Sequence, residues 1–309
     1  MKTVDLFAGC GGMSLGFMQA GFDVVAAVDN WRPAINTYQQ NFIHPIYDLD
    51  LAQISAAVSL IKSYAPELVI GGPPCQDFSS AGKRDESLGR ADLTLDFAKI
   101  ILAIQPAWVI MENVERARLS KIHQQACAML HDGGYSLAQI VLDASLCGVP
   151  QLRKRTFVIG HRHGSIADFV NVLQQQLAKQ PLTVRDYFGD SLGTNYYYRH
   201  PRTYARRAIF SVDEPSPTIR GVNRPIPKTY QMHPNDAGDV ALARPLTTKE
   251  RSLIQTFPFD FKFVGTKSEQ EQMIGNAVPV NLAFFLATNL RAYLNQPRIQ
   301  QLSLLPSFF

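Results

Sequence analysis

The chain has 309 residues, of which 46% are hydrophobic and 18% charged, and its formal net charge is +4. This length predicts about two domains and allows a sizeable core, and the composition excludes a disordered or low-complexity protein. No apolar run approaches the ~18 residues of a membrane span, and no signal-peptide core follows the amino terminus. We therefore expect a cytoplasmic protein with no membrane partner.

The first half of the chain alternates short apolar runs with amphipathic stretches, which is typical of a βαβ array. This pattern predicts a doubly wound α/β sheet that extends to about residue 165. The predicted strands lie at 3–7, 23–28, near 46, 67–70, 107–111, near 137–142 and at 156–159. The predicted helices run from a glycine turn to residue 18 and over 33–42, 54–63, 95–104 and 122–130.

The pattern changes in the second half of the chain. Between residues 181 and 245 the helical period disappears, and residues 213–234 hold five prolines, so we predict a second, smaller irregular domain. Helical signals return at Ser268, a predicted N-cap, and a last helix is predicted over about 280–294. The predicted domains are 1–175, 176–265, and a C-terminal helical segment, 266–309, that returns to the first domain.

Positive charge is concentrated in residues 199–228, which we call the basic segment. It holds seven Arg or Lys residues against two acidic residues, a balance of +5 that exceeds the net charge of the whole chain. A solvated basic face would explain such a cluster. Tyrosines at 196, 197, 198 and 204 lie close by, however, and a mixture of arginine and aromatic side chains is typical of nucleic-acid contact.

A glycine-rich turn follows the first predicted strand, in Asp5-Leu6-Phe7-Ala8-Gly9-Cys10-Gly11-Gly12. Bare backbone at such a turn lets a ligand approach closely. The dinucleotide fingerprint is not met, because Ser14 replaces its third glycine. Asp29 ends the second strand, about where an acidic residue meets a ribose in such sheets, and Asp48 ends the third. These features predict a cofactor that contains a nucleoside.

A cysteine follows the fourth strand, in Gly71-Gly72-Pro73-Pro74-Cys75. The prolines stiffen a turn at the sheet edge where open α/β proteins bind ligands, so this thiol is placed to react rather than to pack. None of the four cysteines, at 10, 75, 127 and 147, forms a Cys-x-x-Cys pair, so we expect free thiols and no metal. Glu112 closes the next strand at the same edge, and Arg153 and Arg155 alternate at a strand entrance.

The order of these motifs resembles the cytosine-C5 DNA methyltransferases of prokaryotic restriction-modification systems over most of the chain. Further matches are Glu112-Asn113-Val114, Pro150-Gln151-Leu152-Arg153-Lys154-Arg155, Ser216-Pro217-Thr218-Ile219, Leu246-Thr247 to Glu250-Arg251, Gln255-Thr256-Phe257-Pro258 and Gly275-Asn276-Ala277-Val278-Pro279. The resemblance implies a Rossmann-like methyltransferase sheet, S-adenosylmethionine as cofactor and double-stranded DNA as partner. It assigns catalysis and cofactor binding to residues 1–175 and DNA target recognition to residues 176–265, which we call the recognition region. It also implies a monomer, and the compact chain suggests a companion restriction endonuclease acting on the same site.

The resemblance also implies roles for individual residues. The implied catalytic residues are Cys75, Glu112, Arg153 and Arg155. The implied cofactor-binding residues are Phe7, Gly9, Cys10, Gly11, Gly12, Asp29, Asn30, Trp31, Asp48, Leu49, Gly72, Pro74, Leu93, Asn276 and Val278. The implied DNA-binding residues are Ser79, Lys83, Arg84, Gln151, Arg202, Arg206, Arg207, Arg220 and Arg224, and the loop over about 77–89 is a predicted lid.

One departure from the family pattern leaves assignments open. Asp29 stands where the family usually has glutamate, and Asn30 stands where an apolar residue usually covers the adenine. Which of Asp29, Asn30 and Trp31 makes each cofactor contact is therefore open.

The implied chemistry starts with addition of the Cys75 thiolate to C6 of cytosine, while Glu112 protonates N3. C5 then becomes nucleophilic and takes a methyl group, and loss of the C5 proton expels the thiolate. The target base must be flipped out of the duplex for this reaction. Arg153 and Arg155 would hold the carbonyl of the base and the charge that develops on the adduct.

Four other functions compete with this interpretation. A tRNA cytosine-C5 methyltransferase would share the scaffold, but the Cys-Phe-Thr signature of that branch is absent from this sequence. Methylation of an exocyclic amine typically uses Asp/Asn-Pro-Pro-Tyr/Phe at this position. A nicotinamide oxidoreductase would leave Cys75 unexplained, and a non-catalytic DNA-binding protein would not need the set of Cys75, Glu112 and the two arginines.

Overall fold

The computed structural model describes residues 1–74, 92–203 and 205–295. The strands in these ranges are β1 (Lys2–Leu6), β2 (Asp23–Asp29), β3 (Ile46–Asp48), β4 (Leu68–Gly71), β5 (Trp108–Val114), β6 (Ser136–Asp143), β7 (Gln151–Leu152), β8 (Lys154–His161), β9 (Tyr196–Tyr198), β10 (Ile209–Ser211), β11 (Ser216–Pro217) and β12 (Ala243–Pro245). The helices are α1 (Gly12–Gln19), α2 (Arg32–Gln39), α3 (Ile54–Ser63), α4 (Asp92–Ile104), α5 (Lys121–Asp132), α6 (Ala167–Gln175), α7 (Val184–Phe188), α8 (Thr248–Ile254), α9 (Lys267–Asn276) and α10 (Val280–Asn295).

The main sheet has seven strands in the order β3-β2-β1-β4-β5-β8-β6. The first five strands in this order run parallel, whereas β8 is antiparallel to both β5 and β6. Strands covered on both faces read as continuous apolar runs, as β4 and β5 do. The predicted doubly wound α/β sheet is confirmed, with an antiparallel pair at one side.

Helices cover both faces of this sheet. On one face α1 and α10 pack together, with Phe17 and Leu286 buried in the same cluster. On the other face α3, α4 and α5 contribute residues such as Ile61, Phe97 and Leu130. The C-terminal helix therefore belongs to the core of the main sheet.

The stretch 267–295 is long and apolar enough to cross a membrane by length and composition, but 61% of its most apolar window is buried. This burial, and the packing of α10 on the sheet, identify it as a core segment.

The irregular region carries two small sheets, of order β10-β9-β12 and β11-β7. Helices α6, α7 and α8 were not predicted, although α7 lies in the stretch where the helical period disappears, and the predicted N-cap at Ser268 is wrong. Thr266 caps α9 instead, because its side chain accepts from the Glu269 amide while the Glu269 carboxylate accepts from the Thr266 amide. The domain boundaries stay a prediction. Phe257, in the predicted second domain, packs in the same cluster as Tyr38, in the predicted first domain.

Candidate active site

The parallel register brings the carboxyl ends of four strands to one edge of the sheet. Asp29 of β2 pairs with Asp48 of β3, and Gly71 of β4 pairs with Met111 of β5. Open α/β sheets bind their ligands at this edge. The glycine turn, the acidic strand ends and Glu112 therefore share one side of the molecule.

Asp29 organises the turns on either side of it. One carboxylate oxygen accepts from the backbone amide of Gly9 and the other from that of Trp31, each at 2.8 Å. Burial raises the pKa of this carboxyl, while the hydrogen bonds from the amides counteract the shift. Asn30 is exposed, and Leu49 donates its amide to the Asp29 carbonyl at 3.1 Å. Asp29 thus fixes the position of the glycine turn relative to residues 30–31.

The glycine turn is tightly built on its protein side and open beyond it. A Cβ on Gly12 would lie 2.3 Å from the carbonyl oxygen of Val278, so only glycine allows this approach. Phe7 has a φ of 56°, a left-handed conformation that costs a non-glycine residue roughly 1–3 kcal/mol and is concentrated at functional sites. At Gly9, in contrast, an added Cβ would meet nothing within 4 Å. Open backbone beside a buried carboxylate fits a nucleoside-containing cofactor.

The other predicted cofactor-binding residues differ in their exposure to solvent. Cys10 and Gly11 are buried in the turn, and Gly72 and Pro74 are partly buried after β4. Asp48 forms an ion pair with Arg32 in which both side chains are substantially exposed, so this pair adds little stability. Asn276 is exposed, and its amide oxygen accepts from Gln272 at 3.0 Å. Leu93, in the first turn of α4, is partly buried.

Glu112 and Arg155 form an ion pair, with 2.9 Å between Oε1 and Nε, and their side chains are only 11% and 14% exposed. The pairing of β5 with β8 sets Arg155 opposite Val114, which places it diagonal to Glu112 on the same face. Burial raises the pKa of Glu112, and the charges of Arg155 and Arg153 oppose that shift. The result is a buried carboxyl held by one guanidinium.

The turn after β4 lies directly beside this carboxyl. A Cβ on Gly72 would lie 3.0 Å from Oε2 of Glu112, so the backbone there approaches the carboxyl closely. Asn113, which we had not assigned to the site, donates its side-chain amide to the Pro73 carbonyl at 3.4 Å. Its position directly after Glu112 was the available signal. Cys75 lies outside the described residues, as do Ser79, Lys83, Arg84 and the predicted lid over 77–89.

Arg153 is close enough for its charge to act on Glu112, but its guanidinium is bonded to the backbone of other segments. It is 1% exposed, and its guanidinium donates to the carbonyls of Ile219, Gly275 and Ala277, each at 3.0 Å. The contact between Arg153 and the carbonyl of the base stays a prediction. In this structure Arg153 joins the start of β8 to the basic segment and to the turn after α9.

Comparison with known proteins agrees with this geometry. Residues 1–292 match the family model described as C-5 cytosine-specific DNA methylase. The chain belongs to this family. It is 89% identical over its full length to the Type II methyltransferase M.HgiDI of Herpetosiphon aurantiacus, all of which is covered. It is 57% identical to the Type II methyltransferase M.HindV of Haemophilus influenzae, over 96% of this chain and 98% of that protein.

The fold is shared with more distant proteins. The structure of the Entamoeba histolytica methyltransferase EhMeth superposes with a TM-score of 0.73 at 19% identity, over 96% of this chain and 99% of that one. The present chain is therefore a DNA (cytosine-5-)-methyltransferase of the restriction-modification type with the Rossmann-like sheet of such enzymes.

The structure distinguishes among the predicted DNA-binding residues of the methyltransferase. Arg202, Arg206 and Arg224 are exposed and Arg220 is partly buried. Arg207 is paired internally, because its guanidinium bonds both oxygens of the Glu214 carboxylate and lies 4.4 Å from the ring centroid of Phe210.

Gln151 is fully buried, and its contact with DNA stays a prediction. Its amide nitrogen donates to Oε1 of Gln255 at 2.7 Å, and its oxygen accepts from the Ile219 amide at 2.9 Å. Gln255, a residue without a predicted role, also donates to the carbonyl of Ala277 at 3.1 Å. Its place in the Gln255-Thr256-Phe257-Pro258 motif was the signal that could have identified it. Together with Arg153, these two amides join the catalytic strands to the basic segment.

Proposed function

We propose that the enzyme methylates C5 of a cytosine flipped out of a specific duplex DNA site, through a covalent bond between Cys75 and C6 of the base. The observation that carries this proposal is the buried Glu112–Arg155 pair beside the turn that leads through Pro73 and Pro74 into Cys75. An acid that can protonate the ring and a thiol that can attack it would then share one edge of the sheet.

The other cysteines support this choice of nucleophile. Burial raises the pKa of the Cys10 thiol to about 12, that of Cys127 to about 11 and that of Cys147 to about 12. The thiolate is the nucleophilic form of cysteine, so these three side chains are poorly suited to attack a base at neutral pH. Cys75, on its proline-stiffened turn, remains as the candidate.

Glu112 would act as the acid in this reaction. It would donate a proton to N3 of cytosine as the sulfur–C6 bond forms, and the burial that raises its pKa acts in the direction of that role. Protonation draws the electrons of the ring toward N3 and lets C5 act as an enamine carbon. After C5 has taken the methyl group, solvent water takes the C5 proton, the C5=C6 bond re-forms, the sulfur–C6 bond breaks to release the Cys75 thiolate, and N3 returns its proton to Glu112.

Arg155 would orient Glu112 and stabilise the charge that develops on the adduct, because its Nε bonds the Glu112 carboxyl directly. Arg153 would act as a positioning residue that holds β8 against the recognition region. Base flipping is part of the proposal because C5 and C6 cannot be attacked within the base stack.

S-adenosylmethionine, when bound, supplies an electrophilic methyl group. The residues that would hold it are those of the glycine turn and its neighbours. Asp29 would accept from ribose hydroxyls, Phe7 and Asp48 would seat the adenine, and Val278 with Asn276 would close the pocket. The proposal further includes a monomer acting in the cytoplasm, double-stranded DNA as partner and a companion restriction endonuclease that acts on the same site.

The test replaces the proposed nucleophile and compares it with a matched control. Cys75→Ala is expected to abolish transfer of labelled methyl groups to DNA while calorimetric binding of S-adenosylhomocysteine is retained. Cys127→Ala, which removes a partly buried thiol of raised pKa, should retain turnover. Bisulfite sequencing of DNA from cells that express the wild type then locates the methylated cytosine.

Two results would overturn the proposal. One is turnover by Cys75→Ala at a rate close to that of the wild type. The other is preferential transfer of the methyl group to tRNA, which would favour the tRNA-modifying branch of the scaffold.

A further inference from the structure

A small cleft lies in the recognition region, and we call it the arginine cleft. Arg199 and His200 line it from the end of β9, Arg220 lines it from the segment after β11, and Arg251 from α8. Among the described residues that line the cleft, none is acidic.

The cations in this cleft are close enough to perturb one another. The charges of Arg220, Arg202 and Arg251, together with burial, lower the pKa of Arg199 to about 10. Arg220 is shifted in the same direction by burial and by the charges of Arg202 and Arg251. Gathering like charges in a partly buried cleft costs free energy, because their mutual repulsion is less screened there than in water.

Protein groups use only part of the hydrogen-bonding capacity of these side chains. Arg251 forms an ion pair with Glu271, which satisfies one cation. Arg199 donates to the Thr218 carbonyl at 3.0 Å, and Arg220 donates to the His200 carbonyl. Both acceptors are neutral, and the buried Nε of Arg220 has no partner within the described chain. A bound anion would supply the charge and the acceptors that these two guanidinium groups lack.

The cleft is also linked to the catalytic strands. The Thr218 hydroxyl donates to the Leu152 carbonyl at 2.7 Å, and the next carbonyl, that of Ile219, accepts from Arg153. Arg155, which holds Glu112, follows two residues later on β8. An anion in the cleft would therefore lie beside the strand that serves the target base.

We propose that the arginine cleft binds one phosphodiester group of the DNA backbone, shared between Arg199 and Arg220. This inference rests on the proposed function in one respect, that DNA is the ligand. It does not depend on the covalent mechanism. The contact would fix the position of the duplex without reading its sequence.

The experiment measures equilibrium binding at several salt concentrations, so its outcome is independent of turnover. One probe is a short duplex of A·T pairs alone, which contains no cytosine, and the other carries the methylated site found by bisulfite sequencing. The variants are Arg199→Gln, Arg220→Gln and the double substitution. Arg185→Gln is the matched control, because that arginine belongs to the same region but is paired with Asp190 and Asp213.

One phosphate contact contributes about 0.9 to the slope of log K against log salt. The double variant is therefore expected to lose about 0.9 of slope and to bind both duplexes more weakly by the same factor. Because both arginines are proposed to contact the same phosphate, replacing both should reduce the slope by the value for one phosphate and not by the value for two. Arg185→Gln should keep the slope of the wild type. Thermal unfolding checks that each variant is folded, and Arg220→Gln alone carries the test if Arg199→Gln unfolds.

Three outcomes would overturn the proposal. An unchanged slope and affinity in the double variant would mean that the cleft does not meet DNA. A slope reduced by about 1.8 would mean that the two arginines contact separate phosphates. A loss confined to the duplex that carries the site, with an unchanged slope, would mean that these side chains read a base edge.

Discussion

Substitution of Arg153 is expected to lower the stability of the protein, whereas substitution of Arg155 is expected to lower the rate of methyl transfer. Arg153→Gln removes a buried guanidinium that donates to three backbone carbonyls from separate parts of the chain. Arg155→Gln removes the cation that bonds Glu112 at 2.9 Å. The two substitutions are identical in chemistry and lie two residues apart, so each serves as a control for the other.

The magnitudes follow from these contacts. A hydrogen bond contributes roughly 0.5–1.5 kcal/mol net, so loss of three would cost about 1.5–4.5 kcal/mol. Glutamine is spared the desolvation of a buried cation, which offsets part of this loss. We expect Arg153→Gln to lower the free energy of unfolding by about 2 kcal/mol and the melting temperature by roughly 4 °C. In Arg155→Gln we expect kcat to fall about a hundredfold, the typical effect of removing one donor to a developing charge.

Urea denaturation and single-turnover methyl transfer measure the two effects on the same samples. The kcat of Arg153→Gln should remain within about tenfold of the wild type under conditions in which the variant is folded. If Arg153→Gln kept full stability and lost as much kcat as Arg155→Gln, Arg153 would act on the base directly, and the positioning role argued from its burial would be refuted.

Three further substitutions test the cofactor edge and the catalytic turn. Asp29→Asn leaves one of two backbone amides without an acceptor. It should weaken binding of S-adenosylhomocysteine by about 1.5–3 kcal/mol in calorimetry. An unchanged Kd would mean that the cofactor binds elsewhere. Burial raises the pKa of Asp5 from 3.8 to about 7, so its contribution to stability is present below pH 3.8 and is lost as the pH rises through 7. Asp5→Asn should therefore gain stability relative to the wild type over that range in urea denaturation, and parallel pH profiles would contradict the shift. Gly72→Ala should push the Glu112 carboxyl aside and lower kcat roughly tenfold to a hundredfold, and a wild-type kcat would show that the turn has room to adjust.

Local patterns predicted the main sheet well. Helix α3 begins and ends where the apolar spacing predicted, at Ile54 and Ser63, because its boundaries depend on neighbouring residues. Helix α8 was not predicted, although Thr247 and Glu250 form a capping box that can be read from the sequence. The same signal makes Thr266, rather than Ser268, the N-cap of α9. In both places the caps were more informative than hydrophobic periodicity.

The roles of polar residues in the recognition region were harder to predict. Gln151 looked suited to DNA contact, yet its partner is Gln255, 104 positions away. Arg153 bonds Gly275, which is 122 positions away. Such long-range partners decide whether a polar side chain faces solvent or the interior, and no local pattern contains that information. Glu112 was expected to close a strand, but it lies within β5, two residues before the strand ends, and it is buried.

The central claim is that Cys75 forms a covalent bond to the target cytosine, and a mechanism-based trap tests it most directly. A duplex with 5-fluorocytosine at the methylated position cannot lose a proton from C5, so the adduct cannot break down after methyl transfer. Incubation with S-adenosylmethionine should give a covalent protein–DNA complex whose peptide map locates the modification on Cys75. Absence of a stable complex at a site that is methylated in ordinary DNA, or a complex formed through another residue, would contradict the account.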